Sequence, residues 1–173
     1  MYRTERPEDH GVIAEVLRAA FGSPAEAELV EDIRRSEYFI PELSVVAQAD
    51  AGVVGHVMIS YATLYTEEGQ RRIAMLSPLA VDPAFQRRGI GSALVRKVTA
   101  DADGRSEPLV VLEGSPRFYG RFGFEHSLLY GIEITLPSWA PPEAAQVIRL
   151  SNYDASIRGR VNYPPAFDRF AEQ

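Results

Sequence analysis

Hydrophobic and polar positions alternate along the chain with two different spacings. Apolar residues recur every three or four positions over residues 12–20 and 25–33, which predicts two amphipathic helices after a short strand at residues 2–5. Pro7 suits the first position of the first helix. The charged residues of the second helix are expected to form a solvated face; they are Glu28, Glu31, Asp32, Arg34 and Arg35.

The next part of the chain, residues 43–81, has the pattern typical of β-strands. Residues 43–49 and 53–65 predict two strands joined by the turn Asp50-Ala51-Gly52, which makes an antiparallel hairpin. A further strand over residues 71–81 contains Pro78. Because proline cannot donate a ladder hydrogen bond, its place within this strand predicts a bulge.

A strand, a polar loop and a helix are predicted in sequence over residues 79–98. The apolar run at residues 79–81 ends at Asp82-Pro83, and Gly89 and Gly91 open a stretch in which apolar residues recur at helical spacing from Ile90. The chain then returns to the all-apolar residues 109–112, which are typical of a parallel strand covered on both faces. A central pair of parallel strands is therefore expected.

The C-terminal third predicts shorter elements. Ser115 is the cap and Pro116 the first residue of a short helix that ends near Gly123. Residues 128–136 and 144–150 predict two strands around a proline-rich loop, and the aromatic tail is expected to dock on the body of the protein. At this length the chain is expected to form one domain, residues 1–173, of the α/β (α+β) class.

The composition and net charge of the chain argue against several classes of function. The 173 residues contain 46% hydrophobic and 24% charged residues, as ordinary globular proteins do. The chain has no cysteine, which excludes disulfides and thiol nucleophiles, and its three histidines are far apart, so no metal site is expected. A net charge of −6 argues against nucleic-acid binding. No signal peptide or membrane segment is evident, which predicts a cytoplasmic protein without a membrane partner.

The loop before the third helix carries candidate chemistry. Gln86, Arg87 and Arg88 precede a glycine-containing helix start, where backbone N–H groups, the helix dipole and guanidinium groups favour a phosphate. A dinucleotide fingerprint fails because Leu94 stands where its third glycine belongs, and the chain has no Gly-Lys pair of a Walker loop.

The pattern Gln86-x-x-Gly89-x-Gly91 resembles the pyrophosphate-binding signature of the GNAT superfamily, acyltransferases that use acetyl-coenzyme A. Residues 113–124, with an aromatic pair followed by Gly-Phe, resemble the second signature of that superfamily. Together with Gly55-His56 and residues 77–81 they resemble its YhbS-like branch. The resemblance runs from about residue 55 to residue 124.

This resemblance implies the GNAT fold, a mixed and mostly antiparallel twisted sheet with a splayed central parallel strand pair and helices on both faces. It also implies acetyl-CoA as cosubstrate and no metal. The N–H of Leu79 would polarise the thioester carbonyl. The residues expected to bind the cosubstrate are Leu79, Ala80, Val81, Gln86, Arg87, Arg88, Gly89, Ile90, Gly91 and Ser92.

Two catalytic residues are expected from the resemblance and from position. Tyr119 matches the tyrosine that protonates the leaving thiolate in many GNAT enzymes. Glu113, at the end of the central strand, is the first candidate for the general base, and His56, Glu68 and bulk water are alternatives. For His56 the favoured interpretation is a partly buried, hydrogen-bonded strand histidine.

The function expected is transfer of an acetyl group from acetyl-CoA to a primary amine of an unidentified small-molecule or peptide acceptor. The alternative is a coenzyme A-binding sensor or interaction module without turnover. The short connection at residues 114–116 departs from most GNAT sequences, so acceptor specificity does not carry over from other branches. The segment after Leu128 could form a homodimer surface.

Overall fold

The computed structural model describes residues 1–171 of the chain. The strands are β1 (Tyr2–Thr4), β2 (Ser44–Ala49), β3 (Gly52–Thr66), β4 (Gly69–Val81), β5 (Leu109–Glu113), β6 (Glu125–His126), β7 (Ile132–Ile134), β8 (Ala145–Arg149) and β9 (Gly159–Asn162). The α-helices are α1 (His10–Phe21), α2 (Ala25–Arg34), α3 (Ile90–Gly104) and α4 (Pro116–Tyr119). Short 3-10 helices connect several of these elements, and strands β3 and β4 run through both of two compact units.

The first unit comprises residues 1–60, residues 76–101 and the stretch that begins at Pro165. Strands β1, β2 and β3 pair antiparallel, so the predicted hairpin is confirmed, with a register shift between Ala47 and Gln48. The apolar faces of α1 and α2 are buried against β2, β3 and β4; the members of this core include Ile13, Leu17, Leu29, Ile33, Val46, Met58 and Ala80. Phe167 and Phe170 pack against the same core, which confirms that the aromatic tail docks.

Two sequence expectations are corrected in this unit. Pro7 begins a 3-10 helix, Pro7–Asp9, and α1 starts only at His10. Arg34 does not belong to a solvated face, because its side chain is 7% exposed and binds Glu5.

The second unit comprises residues 61–75 and 102–164. Strands β4 and β5 pair parallel, with Ala74 opposite Val110 and Met75 opposite Val111, which confirms the central parallel pair. β8 lies antiparallel to β5 and to β6, while β9 pairs with β3 and β7. The Ser77–Pro78 peptide in β4 is cis, and the bulge expected there stays a prediction.

Helix α4 follows the sequence prediction closely. The Ser115 hydroxyl accepts from the Phe118 amide at 3.3 Å, Pro116 is the first helical residue, and a 3-10 turn carries the chain to Gly123. The strand predicted over residues 128–136 is confirmed only over Ile132–Ile134. Ser127–Tyr130 is a 3-10 helix and only Ile132–Ile134 is extended, because Leu128 and Leu129 are exposed and do not continue a buried strand face. Strand β9 was not predicted.

Among residues 1–171, the structure contains no helix that is both long and apolar enough to cross a membrane.

Candidate active site

In the first unit, the loop after β4 is closed by its own side chains. The Asp82 amide donates to the Val54 carbonyl at 2.8 Å, and the Asp82 carboxylate accepts from the Ala84 amide at 2.9 Å, which starts the 3-10 turn Pro83–Phe85. The Gln86 side chain returns to donate to the Val81 carbonyl at 3.0 Å. The loop is therefore held to the strand end from which it leaves.

Backbone conformation at the start of α3 is unusual at two nearby residues. Arg87 has φ 64° and Gly89 has φ 82°, both in the left-handed region that L side chains disfavour. The Gly89 carbonyl accepts the helical hydrogen bond of the Ala93 amide at 3.0 Å. The amides of Ile90 and Gly91 thus belong to the first helical turn, where the helix supplies no acceptor and its dipole concentrates positive potential.

Side chains around this helix start keep the backbone accessible. The loop residues 86–89 are exposed, and the Arg88 guanidinium lies over the Phe85 ring at 5.3 Å. A Cβ placed on Gly89 would meet no protein atom within 4 Å, so the left-handed φ, and not crowding within the chain, explains this glycine. A phosphate could approach the amides from the same open side.

Gly55 of β3 sets the packing beneath the helix start. A Cβ at this position would lie 3.0 Å from Leu94 Cδ1, 3.3 Å from Ile90 Cγ2 and 3.3 Å from the Ala80 carbonyl oxygen. The missing side chain lets α3 and the end of β4 both lie close to β3. Two of the residues predicted to bind the cosubstrate, Ala80 and Ile90, thus lie next to Gly55. All of these predicted residues, 79–81 and 86–92, belong to the first unit.

In the second unit, Glu113 ends β5 and is paired with a tyrosine. The Tyr163 hydroxyl donates to Glu113 Oε1 at 2.5 Å. Burial raises the pKa of Glu113, and the hydrogen bond from Tyr163 partly offsets that rise. Burial and the carboxylate together raise the pKa of Tyr163, which therefore remains the proton donor of the pair.

Tyr119 is held by aromatic neighbours. Its ring meets Phe118 and Phe124 edge to face, with centroids 4.8 and 5.7 Å apart. Burial raises the pKa of Tyr119 to about 12, so the phenol is protonated at neutral pH. A Cβ on Gly114 would lie 2.5 Å from Tyr119 Cε2, so the ring occupies the space that a side chain at Gly114 would need.

His56 is enclosed in the first unit. Its side chain has no exposed area, and Nε2 lies 2.9 Å from Ser44 Oγ and 3.9 Å from Glu5 Oε2. Burial lowers the pKa of His56 to about 4. These contacts favour the structural interpretation over a role as base. Glu68, the other alternative, lies in an exposed turn in which its amide donates to the Thr66 hydroxyl at 3.2 Å.

Sequence reasoning missed Tyr163 and the spatial role of Gly114. Tyr163 lies 50 residues from Glu113, and no local pattern signals a pairing over that distance. From sequence alone, Gly114-Ser115 has the pattern of an ordinary turn into a helix. Only the position of the Tyr119 ring shows why residue 114 has no side chain. Within residues 1–171, no group of three or more His, Asp or Glu residues is arranged to hold a metal ion.

Comparisons with known proteins show the family of this chain. A family model described as an acetyltransferase (GNAT) domain matches residues 1–127. The chain is 34% identical over 173 residues to the uncharacterized N-acetyltransferase YhbS of Escherichia coli K12, covering 98% of this chain and 99% of that protein.

Two solved structures are similar over nearly the whole chain. The crystal structure of Escherichia coli YhbS in complex with CoA has a TM-score of 0.86 at 32% identity and covers 98% of this chain and 92% of its own. A GNAT acetyltransferase from Brucella melitensis in complex with acetyl-CoA has a TM-score of 0.77 at 29% identity and covers 97% of both chains. With a parallel strand pair in a mixed sheet and a matching family model over residues 1–127, the chain belongs to the GNAT acetyltransferase family.

Proposed function

We propose that this protein transfers the acetyl group of acetyl-CoA to a primary amine of a small-molecule or peptide acceptor. The observation that carries the proposal is the helix start at residues 87–91, where Arg87 and Gly89 have left-handed φ values and the loop residues 86–89 are exposed. Similar structures bind CoA and acetyl-CoA, which supports the same cosubstrate for this chain.

In this proposal the pyrophosphate lies on the amides of Arg88, Gly89, Gly91 and Ser92. The guanidinium groups of Arg87 and Arg88 add positive charge, and Gln86 keeps the loop closed onto β4 through its bond to Val81. The backbone of residues 79–81 receives the rest of the cosubstrate. The Leu79 N–H donates to the thioester carbonyl, which stabilises the negative charge that develops on that oxygen.

Glu113 and Tyr119, which both belong to the second unit, transfer the protons. The amine nitrogen forms a bond to the carbonyl carbon as the carbon–sulfur bond breaks. Glu113 takes the proton that the amine loses, and Tyr119 donates its phenolic proton to the leaving thiolate. The raised pKa of Glu113 makes its carboxylate a stronger base, and Tyr119 carries a proton at neutral pH that it can donate.

The testing experiment combines thermal stability with turnover. Acetyl-CoA and CoA, but not NAD or ATP, should raise the melting temperature by about 5–10 °C at roughly 100 times the dissociation constant, which corresponds to about 2.7 kcal/mol. Thiol release with a panel of primary amines should follow. Binding without thiol release for any amine would favour a CoA-binding sensor, and no thermal shift with either coenzyme A species would overturn the proposal.

A cytoplasmic location and a homodimer formed by the segment after Leu128 stay proposals beside this function. The exposed side chains of Leu128, Leu129 and Trp139 support the second of them. Cell fractionation and the mass in solution by light scattering test the two separately.

A further inference from the structure

Tyr163 reaches Glu113 from a distant part of the chain. It lies directly after β9, beyond the residues 1–127 that the GNAT family model matches. Its hydroxyl donates to Glu113 Oε1 at 2.5 Å, which is in the range of short, charge-assisted O–H···O bonds. A residue outside the matched domain thus contacts the carboxylate that the proposed function makes the base.

The backbone that carries Tyr163 is fixed on both sides. Before it, Asn162 pairs with Thr63 of β3 and Val161 is buried. At the start of β9, a Cβ on Gly159 would lie 2.1 Å from the Tyr65 carbonyl oxygen, so β9 approaches β3 too closely for any side chain there. Pro164, after Tyr163, is buried. The hydroxyl is therefore presented from an anchored position and costs little ordering when the site is used.

The backbone that carries Glu113 is held in place as well. Glu113 lies opposite Ala145 in the β5–β8 ladder, and the next residue, Gly114, donates its amide to the Ala144 carbonyl at 2.9 Å. Within the described part of the chain, the hydrogen bond shown at this carboxylate is the one from Tyr163 to Oε1. The second oxygen, Oε2, is left to accept another proton.

We propose that Tyr163 is a positioning residue for the acetyl transfer: it holds Glu113 through Oε1 so that Oε2 faces the acceptor amine. This inference rests on the proposed function, in which Glu113 is the base. When the amine attacks, its N–H bond breaks and an O–H bond forms at Oε2, while Tyr163 keeps its own proton. The raised pKa of Tyr163 agrees with its role as a constant donor.

The test is the variant Tyr163→Phe, which keeps the ring and removes the hydroxyl. Loss of a hydrogen bond to the charged carboxylate raises the pKa of Glu113, so the acid limb of the kcat profile should move to higher pH by about one unit. We expect kcat on the plateau to fall about tenfold because the carboxylate loses its fixed orientation. The thermal shift with acetyl-CoA should stay at its wild-type value.

A matched control is Tyr130→Phe. It removes another tyrosine–glutamate hydrogen bond of the same unit, from the Tyr130 hydroxyl to Glu125 Oε2 at 2.8 Å. This carboxylate has no role in the proposed reaction, so the acid limb of the control should coincide with that of the wild type. A limb that moves equally in both variants would overturn the inference.

Carbon-13 NMR of the glutamate carboxyl groups gives a readout that does not depend on turnover. The Glu113 signal, assigned by its loss in Glu113→Gln, should titrate at higher pH in Tyr163→Phe than in the wild type. The positioning role of Tyr163 would be overturned if the Glu113 signal titrated at higher pH while the acid limb of the kcat profile stayed in place, or if neither changed. Neither outcome would overturn the proposed function. A wild-type protein that binds acetyl-CoA and transfers nothing would overturn the proposed function, and the positioning role of Tyr163 with it.

Discussion

At the scale of single residues, the missing side chain of Gly114 decides where Tyr119 lies. The glycine is held on both sides, since its amide donates to Ala144 and its carbonyl accepts from the Gln146 side chain at 2.9 Å. It cannot move away from the Tyr119 ring, which occupies the place of its absent Cβ. Changing Gly114 therefore displaces Tyr119 and leaves the chemistry of the phenol intact.

We expect Gly114→Ala to lower kcat by about 100-fold, because a displacement of about 1 Å at a reacting group has a cost of this size. Gly120→Ala is the control: Gly120 lies at the other end of α4, has an ordinary helical φ of −57°, and a Cβ there would meet nothing within 4 Å. Steady-state kinetics with one amine acceptor measures the effect. Equal kcat values for the two variants would show that the position of Tyr119 does not matter for turnover.

Tyr119→Phe tests the phenol itself. The ring contacts with Phe118 and Phe124 survive, while the proton donor is lost, so kcat should fall by about 10²–10⁴-fold. The melting temperature and its rise with acetyl-CoA should not change by more than about 1 °C. Tyr153→Phe, another tyrosine of the second unit that packs on an aromatic ring, should keep wild-type turnover. Full activity of Tyr119→Phe would remove the acid role.

At the scale of elements, the loop before α3 and the start of α3 form the part of the proposed acetyl-CoA site that depends most on residues adjacent in the chain. The left-handed conformation of Gly89 places the first turn of α3, and the carbonyl of the same residue accepts the bond from Ala93. An alanine at this position either adopts an unfavourable φ, at a cost of about 1–2 kcal/mol, or shifts the helix start. Both outcomes disturb the amides that the proposal assigns to pyrophosphate.

Gly89→Ala should therefore weaken acetyl-CoA binding about tenfold and lower the melting temperature. The matched control is Gly104→Ala at the other end of α3, where a Cβ would meet nothing within 4 Å. Isothermal titration with acetyl-CoA compares the two variants with the wild type. If Gly89→Ala and Gly104→Ala bind acetyl-CoA equally well, the helix start is not the pyrophosphate site.

The elements predicted well from sequence are those with local causes. The Ser115-Pro116 start of α4 and the strand–loop–helix around Asp82-Pro83 depend on residues adjacent in the chain. The strand predicted over residues 128–136 is shorter than expected, because Leu128 and Leu129 are exposed and do not continue a buried strand face. Pairings such as Tyr163 with Glu113 depend on how distant strands align, which hydrophobic periodicity does not encode.

At the scale of the whole molecule, a buried polar cluster makes folding sensitive to pH. Glu5, Ser44, His56 and Arg34 join the end of β1, two strands and α2. Burial would raise the pKa of Glu5, but the hydrogen bond from Arg34 and the charges around it hold that pKa below its ordinary value. Burial lowers the pKa of His56; the charge of Glu5 opposes this effect only in part, and the charges of Arg34 and His10 add to it.

The direction of the pH effect follows from the two states of His56. In the unfolded chain the imidazole has a pKa of about 6.5, whereas in the folded protein it stays neutral until about pH 4. Below pH 6.5 the unfolded chain therefore binds a proton that the folded protein does not. The stabilisation is fully present above pH 6.5 and is lost as the pH falls toward 4, with about 2 kcal/mol lost between pH 7 and pH 5.

Urea unfolding at pH 7 and pH 5 measures this loss, and the variant His56→Gln isolates it from the other titrating groups. The variant has a lower free energy of unfolding at pH 7, since it repacks a buried site, but its decrease from pH 7 to pH 5 should be about 2 kcal/mol smaller than that of the wild type. If His56→Gln and the wild type lose the same free energy on acidification, His56 takes up its proton in the folded protein and the cluster around Glu5 admits a charged imidazole.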